Sequence, residues 1–379
     1  MSPIFPTVVA IAVGLVAADA SAVQSPLDRD IVWTDGVVNA VARPLIVTSS
    51  APPTGGDRLA DPADPGTTGG LDLTGVASLF LDVDPAPGSG AICSGSLLVG
   101  GRFVLTAAHC VTDEEGELAI QDGGDGNVAR FETTAGLVVA PFTVADVAVH
   151  PGYDGDVRNG FDVAVIDLGE QQPASVARYA LNDGSVGEAG AHLAAGFGQS
   201  GDGLVGTNTG AGDLRSGFNN FVSTGLPVGG INNLATQLTA DFDSGSTGND
   251  AFGVFGPALF GAPVADPAAL GFGADEIGVA PGDSGGPSFV AGPDGPVIAG
   301  VHSYGLRLEL LNGTTSDLDG VLNSSFGEFS IDARVSNPDI LAFIESVAVP
   351  EPTAFTALAT ALVTTVCKRR RPATPCARG

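Results

Sequence analysis

The stretch "CSGSLLVGGRFVLTAAHC", residues 93–110, sets the architecture. Two apolar runs, 97–99 and 103–105, flank Gly100 and Gly101. That is the spacing of a β-hairpin. His109 follows at the end of the second run, beside Cys110. Elsewhere, short β-branched or aliphatic runs such as 137–139 and 163–166 are separated by Gly, Asp, Pro and Asn. This rhythm predicts an all-β chain with many turns. No amphipathic pattern is long enough for a large helical domain, and no fixed-period repeat is present.

The chain has 379 residues, enough for one large or two small domains with a substantial core. Net charge is −28, with 43 acids against 15 bases, and Lys368 is the single lysine. A duplex-binding surface is excluded, because phosphate neutralisation needs clustered Lys and Arg. The acidity reads as a solvated surface that resists aggregation or suits a salty medium.

Three sites carry chemistry. His109 sits at a strand end, where a bridge from Cys110 to Cys93 would make its loop rigid. A general base needs that rigidity, because catalysis falls steeply with misplacement. In "NGFDVAVIDLGE", 159–170, Asp162 opens an apolar strand. An acid buried there needs a partner, and a histidine is one. Asp167, five residues on, faces the other side of the strand. In "GVAPGDSGGPSFVAG", 278–292, Ser284 is flanked by glycines. A serine hydroxyl needs an adjacent base to act as a nucleophile. The N–H groups of Gly282 and Ser284 are candidates to hold an oxyanion. Gly285 and Gly286 let neighbouring chain pack close.

"TAAHC", "DVAVI" and "GDSGGP", in that order, resemble the trypsin/chymotrypsin-like serine peptidases. The order His, Asp, Ser separates this arrangement from subtilisin-like and α/β-hydrolase ones. Weaker matches are "VASLFLDV", "AAGFG", "IAGVHSYG" and "ARVSNPDILAFIESV", so the resemblance spans about residues 71–347. It implies two packed six-stranded antiparallel β-barrels with a C-terminal helix. His109 and Asp162 would come from the first barrel and Ser284 from the second. It also implies that Ser303 hydrogen-bonds Asp162. Substrate backbone would pair along Tyr304 and Gly305, with Tyr304 in place of the family's usual Trp. Gly278, six residues before the serine, would be the pocket floor. A trypsin-like enzyme would carry Asp there, so no preference for basic P1 residues is expected. Ala280 replaces the cysteine that usually staples this pocket, and Glu276 is near enough to reach the cleft. No metal or organic cofactor is implied.

Activation departs from the pattern. The family pairs the Asp before the serine, here Asp283, with a new N-terminus, often Ile-Val-Gly-Gly. No such motif stands at the expected distance before 76–83. Either another group satisfies Asp283 or the protein folds active without processing. Arg58 offers a possible cleavage site, and 51–70, rich in Pro and Gly, reads as a flexible linker or propeptide remnant. Extra loops between Asp162 and Ser284 read as solvated surface. Asp241, Asp243 and Asp250, and the acidic run 113–117, lack EF-hand spacing for calcium. His150, His192 and His302 are expected to have no special role.

Both ends suggest export. Residues 7–18 are apolar and precede "DASA", which reads as a signal peptide cut after Ala22. Residues 23–70 then read as propeptide or linker. The tail, 348–379, has Pro350-Glu351-Pro352, an apolar stretch 353–367 and the cluster 368–371. It resembles the PEP-CTERM sorting signal, which implies transient membrane association and cleavage near Glu351 by an exosortase-type enzyme. An ordinary tail anchor is the alternative. Cys367 and Cys376 would leave with the tail, so Cys93 and Cys110 would form the remaining disulfide in an oxidising compartment. The expectation is a secreted or surface serine endopeptidase acting on protein or peptide substrates. The alternatives are a non-catalytic binding or matrix protein on the same fold, or an esterase-like hydrolase with the same triad.

Overall fold

The computed structural model describes residues 30–43, 68–83, 90–123, 126–262, 264 and 271–348. The expected signal peptide, Arg58 and the expected sorting tail beyond residue 348 lie outside them. The described chain is mostly β-strand, with the chymotrypsin-like double-barrel architecture and a C-terminal helix.

The chain begins with a hairpin, β1 (Ile31–Thr34) and β2 (Val38–Arg43). The first large sheet is built from β3 (Val76–Leu81), β4 (Ala91–Leu97), β5 (Phe103–Thr106), β6 (Asn127–Thr133), β7 (Gly136–Phe142), β8 (Val147–Val149) and β9 (Ala164–Asp167). Its order is β7-β6-β3-β4-β5-β9-β8, all antiparallel. The expected β4–β5 hairpin is present, and Gly100 and Gly101 turn it with φ of 98° and 74°. Both angles favour glycine. Seven strands form this sheet rather than six.

The second half follows as β10 (Ala180–Leu181), β11 (Gly190–Gly196), β12 (Ser200–Asp202), β13 (Gly206–Thr209), β14 (Arg215–Phe221), β15 (Gln237–Asp241), α1 (Ala251–Leu259), β16 (Pro287–Gly292), β17 (Gly295–Leu310), β18 (Phe329–Arg334) and α2 (Pro338–Val347). Its sheet has nine strands among the described residues. Six of them, β11, β14, β15, β16, β17 and β18, make the expected antiparallel set. The other three are β10 and the N-terminal hairpin. β2 pairs along β17 from Gly305↔Arg43 to Leu310↔Val38. A linker reading therefore fails for 30–43. The alternation in β2 explains why: Val38, Ala40 and Ala42 are fully buried, against Tyr304, Leu306 and Leu308.

One apolar cluster joins the two sheets. It contains Leu79, Val104, Phe131 and Val165 from the first and Leu193 and Phe289 from the second. α2 closes the chain. Asn337 caps it by accepting from the Asp339 and Ile340 N–H groups, Pro338 stands in its first turn, and Ile340 and Ile344 are buried.

Candidate active site

His109 occupies a single 3₁₀ turn, Ala108–Cys110, at the end of β5. The disulfide Cys93–Cys110, spanning 17 residues, ties that turn to β4. β9 pairs with β5 from Phe103↔Asp167 to Thr106↔Ala164, which brings the start of β9 level with the histidine turn. The chain enters β9 through Gly160 and Phe161, both at positive φ, 76° and 60°. For a bulky residue such a conformation costs about 1–2 kcal/mol. Phe161 is held there by stacking on His150, with ring centroids 4.8 Å apart.

Asp162 then faces His109. Its Oδ2 lies 2.7 Å from His109 Nδ1, and its Oδ1 accepts from the His109 backbone N–H at 2.9 Å. Ser303 donates its hydroxyl to the same Oδ2. The carboxylate is 1% exposed. Burial pushes its pKa up, but the His109 ring and the hydrogen bonds from His109 and Ser303 outweigh this and hold it below the usual carboxylate value. An ionised Asp162 puts the imidazole proton on Nδ1 and leaves Nε2 with a lone pair. Asp167 is turned away and paired with Arg102 at 2.6 Å.

Ser284 lies on the loop before β16, and the loop is docked on both halves of the molecule. The Ser284 carbonyl accepts from the Ser94 N–H at 2.8 Å, and the Gly282 carbonyl accepts from Ser94 Oγ at 3.0 Å. Cys110 Sγ is 3.5 Å from the Ser284 carbonyl, so the neighbour of His109 touches the neighbour of the Ser284 side chain. Gly285 has φ of 85°, and a Cβ there would meet Thr106 Oγ1 at 2.1 Å and Ser94 O at 2.4 Å. Only glycine allows this approach to the end of β5. Within the loop the N–H groups of Asp283, Gly285 and Gly286 donate to Ala280, His302 and Asp283 carbonyls. Among the described residues, those of Gly282 and Ser284 have no intramolecular acceptor.

Asp283 is 2% exposed and points inward, where its Oδ1 accepts from the Gly198 N–H at 2.5 Å. A Cβ on Gly196 would lie 2.1 Å from the same oxygen, so glycine is needed for the carboxylate to fit. Burial pushes its pKa up to about 7, against the opposing pull of Gly198, His302 and Arg215. His302 in turn is 3.1 Å from Asp332. Burial lowers its pKa, but Asp332, Asp283 and the Ala195 carbonyl outweigh it, and the net shift is upward. Asp283 is thus surrounded by groups of this chain's own interior. Gly198, Arg215 and His302 had no signal in the sequence, since each is distant from Asp283 along the chain and meets it only through packing.

The remaining expected residues divide. Gly278 borders a small cleft in the second sheet with Val279, Ser288, His302, Ser330 and Asp332. Phe242 backs Gly278, 3.0 Å from where its Cβ would be. Tyr304 is fully buried, and its hydroxyl donates to Gln237 Oε1 at 3.3 Å. Its side chain is therefore core, and only its backbone can meet a substrate. Gly305 is paired with Arg43 of the N-terminal hairpin. Glu276 does not reach the cleft. It is 2% exposed, and its Oε1 accepts from the Asp243 N–H at 3.0 Å while its Oε2 accepts from the Phe272 N–H.

Asp241, Asp243 and Asp250 are also buried rather than solvated, with carboxylate oxygens within 4.8 Å of one another. That is a donor set a hard divalent cation accepts. Two of them serve α1, accepting from the Phe252 N–H at 3.0 Å and the Gly253 N–H at 2.5 Å. Among the described residues, no helix is long and apolar enough to cross a membrane.

The trypsin family model matches residues 82–214, a stretch that includes His109 and Asp162 and stops before Ser284. The serine protease Hayan of Drosophila melanogaster is 34% identical over 88 residues, which is 23% of this chain and 13% of that protein. Over residues 82–214 the chain is thus similar to trypsin-like serine peptidases, and the double-barrel architecture of the described residues agrees with that match.

Proposed function

We propose that this protein is an exported serine endopeptidase that cuts peptide bonds through Ser284, His109 and Asp162. The observation that carries the reading is the environment of Asp162. One buried carboxylate receives the ring and backbone of His109 and the hydroxyl of Ser303, beside the loop that bears Ser284.

In the reaction, Ser284 Oγ attacks the scissile carbonyl carbon, and its proton passes to His109 Nε2. The imidazolium so formed is stabilised by the Asp162 carboxylate. The carbonyl oxygen becomes an oxyanion held by the N–H groups of Gly282 and Ser284, which have no intramolecular acceptor among the described residues. The tetrahedral species collapses, and the C–N bond breaks as His109 returns the proton to the leaving amine. Water then attacks the acyl-enzyme, again giving a proton to His109, and Ser284 is released with the carboxylic acid product. No step calls for a metal.

Gly278 at the pocket floor brings no carboxylate, which favours a non-basic P1 residue. The Cys93–Cys110 disulfide suits an oxidising compartment, and the sequence of both ends suits export with a sorting tail removed by an exosortase-type enzyme. A fluorophosphonate probe on the secreted protein tests the reading. Wild type is expected to label at Ser284, and Ser284→Ala and His109→Ala are expected not to. A folded, disulfide-bonded wild type that stays unlabelled, even after limited proteolysis, would instead point to a binding protein on a peptidase fold.

A further inference from the structure

Among the described residues, one edge of β17 is left open for only two residues, and they lie beside Asp162. β18 occupies the opposite edge, pairing with Gly300 and Val301 and again with Gly305 and Leu306. β16 and β2 must therefore share the edge in question. β16 pairs up to Pro287↔Val301. The nucleophile loop continues this contact, with Gly285 N–H to His302 O at 2.8 Å and His302 N–H to Gly286 O at 2.9 Å. β2 begins at Gly305↔Arg43. Ser303 and Tyr304 are what lies between.

A peptide bound for cleavage at Ser284 can add to this edge as a strand, the usual way an extended chain uses an unpaired sheet edge. Its scissile bond is then at the Ser284 end, and its upstream residues run toward Leu310. β2 already runs in that direction, antiparallel to β17 and heading toward the nucleophile loop. The upstream end of a substrate strand would meet the end of β2 after Ser303 and Tyr304. Pro44, the next residue, brings no N–H with which to extend the ladder.

The hairpin that holds this position is anchored along its length. Val38, Ala40 and Ala42 are fully buried. The Trp33 indole N–H donates to Gly229 O at 2.5 Å, and Asp35 accepts from the Gly229 N–H at 2.9 Å. Arg158 lies over the Trp33 ring at 4.9 Å. Arg43 itself is fixed by an ion pair with Asp30 and a hydrogen bond from Nη1 to Leu322 O at 3.1 Å.

We propose that β2 forms the upstream wall of the substrate groove, with Arg43 as its end, so that strand pairing with substrate covers only the two residues before the cut. The preferred substrates are then peptides or protein segments whose chain ends or turns away within two or three residues upstream. An extended polypeptide cannot pair further without displacing a strand that belongs to the core. The inference rests on the peptidase reading above.

The test is a set of peptides sharing one cleaved sequence and lengthened upstream from one to six residues, turned over by the full secreted chain. We expect kcat/KM to rise to the second upstream residue and to change less than threefold from the third to the sixth. A continued rise of tenfold or more across the third to fifth residues would overturn the wall. Arg43→Gly, which frees the strand end, should raise the six-residue substrate relative to the two-residue one by at least threefold. An unchanged ratio would overturn it as well. So would intact masses showing that 30–43 are absent from the active enzyme. Labelling of Ser284 with a length profile that keeps rising removes the wall and leaves the peptidase. Absence of both labelling and turnover at every length removes both.

Discussion

At the scale of single residues, Asp162 carries the greatest burden. It is buried, kept ionised by its partners, and it fixes which nitrogen of His109 bears the proton. Replacing it with Asn keeps the shape but can present its amide to Nδ1 and stabilise the wrong tautomer. Asp162→Asn should therefore lower kcat by about 10⁴-fold while circular dichroism and melting stay near wild type. A loss of tenfold or less at neutral pH would mean that His109 is not the base. The three residues of the proposed triad were legible because each sits in a short local pattern. "TAAHC", "GFDVAVI" and "GDSGG" announce a strand end, a buried acid and a serine flanked by glycines without long-range information. The surroundings of Asp283 were not legible. Gly198, Arg215 and His302 reach it only because β11, β14 and β17 fold around one point.

Among the elements, the contact between the nucleophile loop and the β4–β5 hairpin is what joins the two halves of the site. It depends on one glycine. A methyl at position 285 would stand 2.1 Å from Thr106 Oγ1 and force φ of 85° on an L-residue. The loop must then shift away from the strand that leads to His109. Displacements of about 1 Å can cost 10²-fold in rate. Gly285→Ala is thus expected to lower fluorophosphonate labelling at least tenfold and stability by about 2 kcal/mol or more, read by urea unfolding. Gly286→Ala is the companion, since its Cβ would press on the Ala195 carbonyl at 2.5 Å. Wild-type labelling by Gly285→Ala would show that the junction is not needed. The β4–β5 hairpin was readable from Gly100 and Gly101, and α2 from its Asn-Pro start. Two other elements were hidden by composition. α1 carries Gly253, Gly256 and Pro257, all poor helix formers, and forms because Asp250 caps it and Phe252 and Phe255 pack on Phe329. β1 and β2 sit beside Pro- and Gly-rich chain, and they are strands because β17 is 16 residues long and offers them an edge.

The whole molecule concentrates buried ionisable groups in its second half, and this sets how stability should depend on pH. Asp283 is pushed up to about 7 and Glu328 to about 8, both mainly by burial. Each folded carboxyl keeps its proton where the unfolded chain has lost it. The stability this gives is complete below the ordinary carboxylate range, and it is lost as pH rises through 7 and 8. His302, raised by Asp332, acts in the same sense, because its contribution is present below 6.5 and is lost above it. His192, lowered to about 3 by burial, and His150, also lowered, work oppositely, but only below 6.5, where the unfolded histidines bind protons. From pH 6.5 to about 7 the three raised groups therefore act together, and from 7 to 8 Glu328 continues, without opposition from these histidines. Unfolding free energy should fall across that window, by up to about 1.4 kcal/mol per pH unit for each net proton released. Urea unfolding at pH 6.5, 7 and 8 and constant ionic strength measures it. Glu328→Gln should flatten the fall, since it removes the group that titrates highest of the two acids. A stability that stays level or rises from pH 6.5 to 8 would mean that Asp283 and Glu328 are already ionised in the fold. The nucleophile loop would then rest on a charged Asp283 balanced in full by His302 and Arg215.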